Sequence, residues 1–128
     1  MVRDDWGFKL GYSPDGLVGD DGLIEIKSRN QKIQLSTILA DEVPLGNMAQ
    51  CQAGLLVSGR KWLDYVSYSG GMPLYVKRVH PDPKWFHAIF LAVEAFEDEA
   101  ALMVANYQDS IAGLTKTERI NHYEDMRF

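Results

Sequence analysis

Cysteine is nearly absent. Cys51 is the only one in 128 residues, which excludes an intrachain disulfide and a zinc site built from cysteines. Its setting among helical apolar residues favours a packed thiol over a nucleophile. Histidine is scarce too. His80, His87 and His122 share no metal-ligand spacing and read as surface or core residues. No apolar run approaches the ~20 residues that cross a bilayer. Asp4, Asp5 and Lys9 interrupt the opening stretch before a signal-peptide pattern can form. A reducing cytoplasm fits these absences, and no membrane partner is expected. An excess of positive charge is also missing: the formal net charge is −5, which argues against nucleic-acid binding by bulk charge.

What the chain does have is the make-up of a folded domain. Hydrophobic residues are 46% and charged residues 24%, an ordinary globular balance with enough chain for one core. The charge is unevenly spread. Residues 1–26 hold two basic and six acidic side chains, residues 27–87 eight and four, and residues 88–128 three and eight. The middle segment is therefore net +4, through Lys27, Arg29, Lys32, Arg60, Lys61, Lys77, Arg78 and Lys84. Such a distribution can set a basic face beside an acidic pocket, or it can be scattered solvated charge.

Ser13-Pro14-Asp15-Gly16-Leu17, followed by Gly22-Leu23-Ile24-Glu25-Ile26-Lys27, is the most informative stretch. Gly19-Asp20-Asp21-Gly22 is a strong turn signal between two extended pieces. The hairpin brings Asp15 alongside the returning strand. Alternation puts Leu23, Glu25 and Lys27 on one face and Ile24 and Ile26 on the other. Two carboxylates and a lysine then converge, an oxygen-rich donor set suited to a hard divalent cation. Phosphodiester hydrolysis uses such a cation to activate water and neutralise phosphate charge. The residues alone leave two readings open, a metal site or a solvated sheet face with a surface ion pair. The apolar neighbours favour the first, because a central strand carries charge only when it is paired or metal-bound.

Along the rest of the chain, Gly7 to Tyr12 reads as a strand. Leu17-Val18 and Leu23 to Ser28 form the hairpin arms. Gln31 to Leu39 is ambiguous, with Ile33, Leu35 and Ile38 as its apolar members, and 41–46 reads as a loop. Asn47 is a candidate N-cap for a helix running to about Val57 and closed by Ser58-Gly59. Trp62 to Tyr68 alternates strictly, and Leu74 to Val79 completes a second hairpin. Pro81-Asp82-Pro83 breaks the chain before one long helix from Lys84 to about Ile111. Its apolar stripe through Phe86, Phe90, Phe96, Met103, Val104 and Tyr107 recurs every three or four positions and reads as core. These elements predict a single α/β domain over 1–112, a mixed β-sheet flanked by helices, and a polar tail over 113–128.

The hairpin block, together with Met48-Ala49-Gln50-Cys51-Gln52 and the strand Trp62 to Tyr68, resembles the PD-(D/E)xK nuclease core. More narrowly, it resembles the phage lambda exonuclease family, the YqaJ-type viral recombinases, over about residues 11–80. The resemblance implies a restriction-endonuclease-like fold and a magnesium-dependent deoxyribonuclease, manganese substituting. It implies 5′ to 3′ exonuclease action on double-stranded DNA ends in phage recombination, beside a single-strand annealing protein and as a homo-trimer. Asp15, Glu25 and the Ile26 carbonyl would hold the metal. Lys27, an ammonium between two carboxylates, would serve electrostatically. Gln50 would sit beside the site. Gln50 and Gln52 cannot share a helix face, since two residues turn the helix by about 200°. Ser13, Arg29, Lys32 and Gln52 are candidate DNA contacts. Family members carry helices before the Ser-Pro-Asp block that supply an acidic residue and the 5′-phosphate pocket. Met1 lies fourteen residues before Asp15, so these helices are expected to be absent and the chain alone to be weakly active or inactive. The alternatives are another PD-(D/E)xK endonuclease and a non-catalytic DNA-binding or assembly module.

Overall fold

The structure is a computed structural model and describes residues 1–120. His122 and the end of the expected tail lie outside the described residues. The chain divides into two compact units, Met1–Ala95 and Phe96–Phe128.

The first unit is built on a four-stranded sheet. A short antiparallel ribbon comes first, β1 (Val2–Arg3) with β2 (Leu10–Gly11). The hairpin β3 (Gly16–Val18) and β4 (Gly22–Ser28) follows. Two helices, α1 (Gln31–Ala40) and α2 (Leu45–Ser58), then cross to β5 (Trp62–Tyr68), which returns as β6 (Tyr75–Val79). The sheet order is β3-β4-β5-β6. β4 and β5 run parallel, with Leu23 beside Leu63, Glu25 beside Tyr65 and Lys27 beside Ser67, and the other two pairings are antiparallel. The α/β expectation with a mixed sheet therefore holds.

Register decides what the sheet buries. Leu23, Leu63 and Tyr65 are fully enclosed and pack with Cys51 and Leu55 of α2. The opposite face carries Ile26, Tyr68 and Val76, all about half exposed, and an Arg78 guanidinium laid over Trp62 and bonded to Asp64. Both crossover helices lie on the Leu23 face. Gln34 of α1 reaches the backbone of Ser67 there, and Gln50 of α2 reaches Glu25.

Several local expectations are corrected. The strand expected over 7–12 shortens to Leu10–Gly11. Gly7 takes a left-handed φ of 84°, and Trp6 and Phe8 turn instead to stack with Phe90. The ambiguous stretch is helix α1, capped by the Asn30 side chain, which accepts from the Ile33 N–H. Its buried residues are Gln34 and Thr37, while Ile33 and Leu35 are exposed. Asn47 is not an N-cap. Helix α2 starts earlier, at Leu45 behind Pro44, and ends at Gly59 in the expected left-handed conformation, φ 68°. The last helix, α3, spans Pro83–Ser110 and buries none of its residues. Within the first unit Phe86 packs against the core cluster and Phe90 meets Trp6. In the second unit Phe96, Met103, Val104 and Tyr107 stand exposed. The stripe read as core is therefore covered at Phe86 and Phe90 and exposed from Phe96 onward among the described residues. No helix among them is long and apolar enough to cross a membrane.

Gln34 explains why a polar residue anchors α1. It is fully buried. Its amide nitrogen donates to the Ser67 and Pro73 carbonyls at 2.9 and 3.0 Å, and its oxygen accepts from the Ser67 hydroxyl at 2.6 Å. Gln34→Leu is more apolar but strands those partners. It is expected to destabilise the fold by about 1–3 kcal/mol, read from urea titrations. A gain in stability would mean that apolar burial outweighs the lost bonds.

Candidate active site

Strand β4 places Glu25 on the enclosed face, where the residue is only 3% exposed. A carboxylate so buried must be paired or fully hydrogen-bonded, and it has a donor at each oxygen. Tyr12 donates its hydroxyl to Oε2 at 2.5 Å. Gln50 donates its amide to Oε1 at 2.9 Å, and the Lys27 ammonium lies 3.5 Å from the same oxygen. Helix α2 aims Gln50 at β4 and Gln52 elsewhere, as the helical rotation requires.

Asp15 sits across the hairpin. Strand β3 begins at Gly16 opposite Ile24, so past Ile24 the outer edge of β4 has no strand partner. The Asp15 carboxylate takes its place and accepts from the Ile26 N–H at 2.8 Å through Oδ2. The Asp15 N–H donates to the Ile24 carbonyl at 3.1 Å, and strand alternation turns the Ile26 carbonyl toward the same open edge. Asp15 is exposed where Glu25 is buried. The two are close enough that both raise the Tyr12 phenol above its ordinary value, after burial, which is the larger cause.

Arg29 continues the Glu25–Lys27 face beyond the end of β4. Its backbone N–H donates to the Tyr68 carbonyl at 2.8 Å. Its guanidinium donates to Asn47 Oδ1 at 2.9 Å, and Tyr65 donates its hydroxyl to the same oxygen at 3.2 Å. Asn47 is thus an acceptor that fixes Arg29. Ser13 is exposed next to Asp15, and Lys32 is exposed in the first turn of α1. Gln52, the remaining candidate DNA contact, points inward. It is 2% exposed, and its amide is committed to the His80 carbonyl and the Asp82 N–H, where it pins the turn between β6 and α3.

The basic middle segment does not form one free face. Lys61 pairs with Asp21, Lys77 with Asp41 and Arg78 with Asp64, and Arg60 donates to the Gly19 and Gly22 carbonyls. Lys27 and Arg29 remain on the Glu25 face.

Sequence reasoning missed Tyr12, although a signal was present. A buried tyrosine needs a partner for its hydroxyl, and so does a buried glutamate. The donor set suits a hard cation. Among the described residues no third histidine, cysteine or carboxylate joins Asp15 and Glu25, so further oxygens would come from backbone, water or substrate. That is the usual situation of magnesium, which binds through one or two carboxylates and keeps waters.

No family model matches this chain, and no curated protein is similar to it. Among solved structures it is similar to an alkaline exonuclease, LHK-Exo, from Laribacter hongkongensis, with a TM-score of 0.74 and 34% identity over 80% of this chain. LHK-Exo in complex with dAMP matches with the same values. The match spans 55% of the exonuclease chain, a little over half its length. The shared fold is the PD-(D/E)xK type of mixed sheet and helices.

Cys51 lies in the same packed layer, and burial, followed by the Glu25 charge, pushes its thiol up to about 12. Its ordinary value is near 9, so between roughly pH 9 and 12 the unfolded chain releases a proton that the folded chain retains. This contribution is complete below pH 9 and is lost as the pH rises, at about 1.4 kcal/mol per pH unit. Urea titrations from pH 8 to 11 are expected to show falling stability, with a shallower slope for Cys51→Ala. Equal slopes would mean that the thiol is not protected by the fold.

Proposed function

We propose that this chain carries the catalytic core of a divalent-metal-dependent deoxyribonuclease that hydrolyses phosphodiester bonds from the ends of duplex DNA, in the 5′ to 3′ direction. One observation carries the reading. Glu25 is buried yet held at both oxygens, with Lys27 beside it and Asp15 across the hairpin, in a fold shared with an alkaline exonuclease at 34% identity.

Asp15, Glu25 and the Ile26 carbonyl would hold magnesium, or manganese in its place. Bound there, the metal would lower the pKa of a water and offset charge on the phosphate. The chain's own residues do the rest. Gln50 and Tyr12 hold the Glu25 carboxylate in one orientation. Lys27 stays within reach of the reacting phosphate and stabilises the charge that grows on its oxygens in the transition state. Arg29, tied to Asn47 through one nitrogen, and Ser13 beside Asp15 would take flanking phosphates, with Lys32 farther along α1. End selectivity, a phage recombination role, an annealing-protein partner and a homo-trimer belong to the same proposal and concern the whole protein.

The test uses end-labelled linear duplex and covalently closed circles, each with and without magnesium. Linear DNA is expected to be degraded only with metal, and circles to survive. Cut circles would instead indicate an endonuclease. Lys27→Met is expected to cut single-turnover cleavage about 100-fold or more while duplex binding stays near wild type. An unchanged rate would remove Lys27 from the chemistry. DNA binding without cleavage in either metal would make the chain a non-catalytic module.

A further inference from the structure

We propose that Tyr12 is a positioning residue for Glu25, and that Gly54 is the space that lets it act. The inference rests on the reading of Glu25 as a metal ligand.

The last torsion of a glutamate is broad and roughly two-fold, so one hydrogen bond leaves the carboxylate free to swing. Gln50 and Lys27 both address Oε1. Among the described residues Tyr12 alone addresses Oε2. With donors at the two oxygens on separate elements, rotation breaks at least one bond, and the carboxylate plane is fixed.

The tyrosine is itself held from two sides. Its backbone continues the β1–β2 ribbon: the Tyr12 N–H donates to the Met1 carbonyl at 2.8 Å. The ribbon is tied to α2 by Arg3, which donates to the Leu56 carbonyl at 2.8 Å. The ring lies flat against α2 at Gly54. A Cβ added there would stand 2.5 Å from Cζ and 2.7 Å from Cε1 of the ring, closer than real Cβ contacts come. Any larger residue at 54 must displace the ring and its hydroxyl. Ribbon, helix and β4 therefore meet at one carboxylate.

Filling space does not require that oxygen. Phenylalanine would pack the same gap, so a role confined to packing makes Tyr12→Phe silent toward metal. A role in orienting Glu25 does not.

The experiment measures Mn²⁺ affinity by calorimetry for the wild-type chain, Tyr12→Phe, Gly54→Ala and the double variant, with a thermal melt of each. Tyr12→Phe is expected to remain folded and to bind Mn²⁺ roughly 10- to 100-fold more weakly, the usual loss when the partner of a metal ligand is removed. Gly54→Ala keeps the hydroxyl but moves it, and is expected to lose a similar factor. The double variant is expected to be no worse than the weaker single variant, because both act on one bond. If Gly54→Ala does not fold, Tyr12→Phe decides alone. Wild-type affinity in Tyr12→Phe overturns the inference while leaving the nuclease reading intact. A wild-type chain that binds no Mn²⁺ overturns both.

Discussion

A glutamate carboxylate is enclosed between a β-sheet and a helix, and the arrangement of the first unit follows from making that tolerable. Withdrawing an ion from water costs several kcal/mol even after relaxation. The outlay is offset by a tyrosine from the ribbon before the hairpin, a glutamine from α2 and a lysine two residues along the same strand. Each must arrive from a different element. The parallel pairing of β4 and β5 supplies the geometry, because it needs a crossover, and the crossover lays α2 over the face that carries Glu25.

The same face shows how polar groups are distributed in this small core. Glu25, Gln34, Gln52 and Ser67 are all essentially buried, and all are bonded. Gln34 and Ser67 satisfy each other and nearby carbonyls. Gln52 spans the turn after β6. Glu25 differs in that its partners surround a charge and its neighbour across the hairpin is a second, exposed carboxylate. Two acids, one buried and fixed and one open to solvent, are the arrangement a cation site needs: one rigid ligand and one accessible approach.

Much of this was legible in the sequence. The β3–β4 hairpin announced itself through its glycine-aspartate turn and period-two strand, and helical rotation showed that only one of Gln50 and Gln52 can face β4, the family resemblance pointing to Gln50. The helix α1 was not legible, because its buried residues are Gln34 and Thr37, while Ile33, Leu35 and Leu39 point outward and Ile38 alone of its apolar members packs on the core. Asn47 misled for a related reason: the side chain that makes asparagine a good cap also makes it a good acceptor for an arginine, and here it serves Arg29. The apolar stripe of α3 has the right spacing for a core, but only Phe86 and Phe90 find cover, and Phe96, Met103, Val104 and Tyr107 stand exposed. Tyr12 escaped because its partner lies thirteen residues away across the hairpin, so that the need for a partner was visible locally but its identity was not.

Anomalous scattering from crystals grown with Mn²⁺ tests the central claim most directly. The account expects a peak lying between the Asp15 and Glu25 carboxylates and within bonding distance of the Ile26 carbonyl, with the Tyr12 and Gln50 hydrogen bonds to Glu25 intact. Ordered Asp15 and Glu25 side chains with no peak between them, in crystals soaked at saturating Mn²⁺, would contradict it.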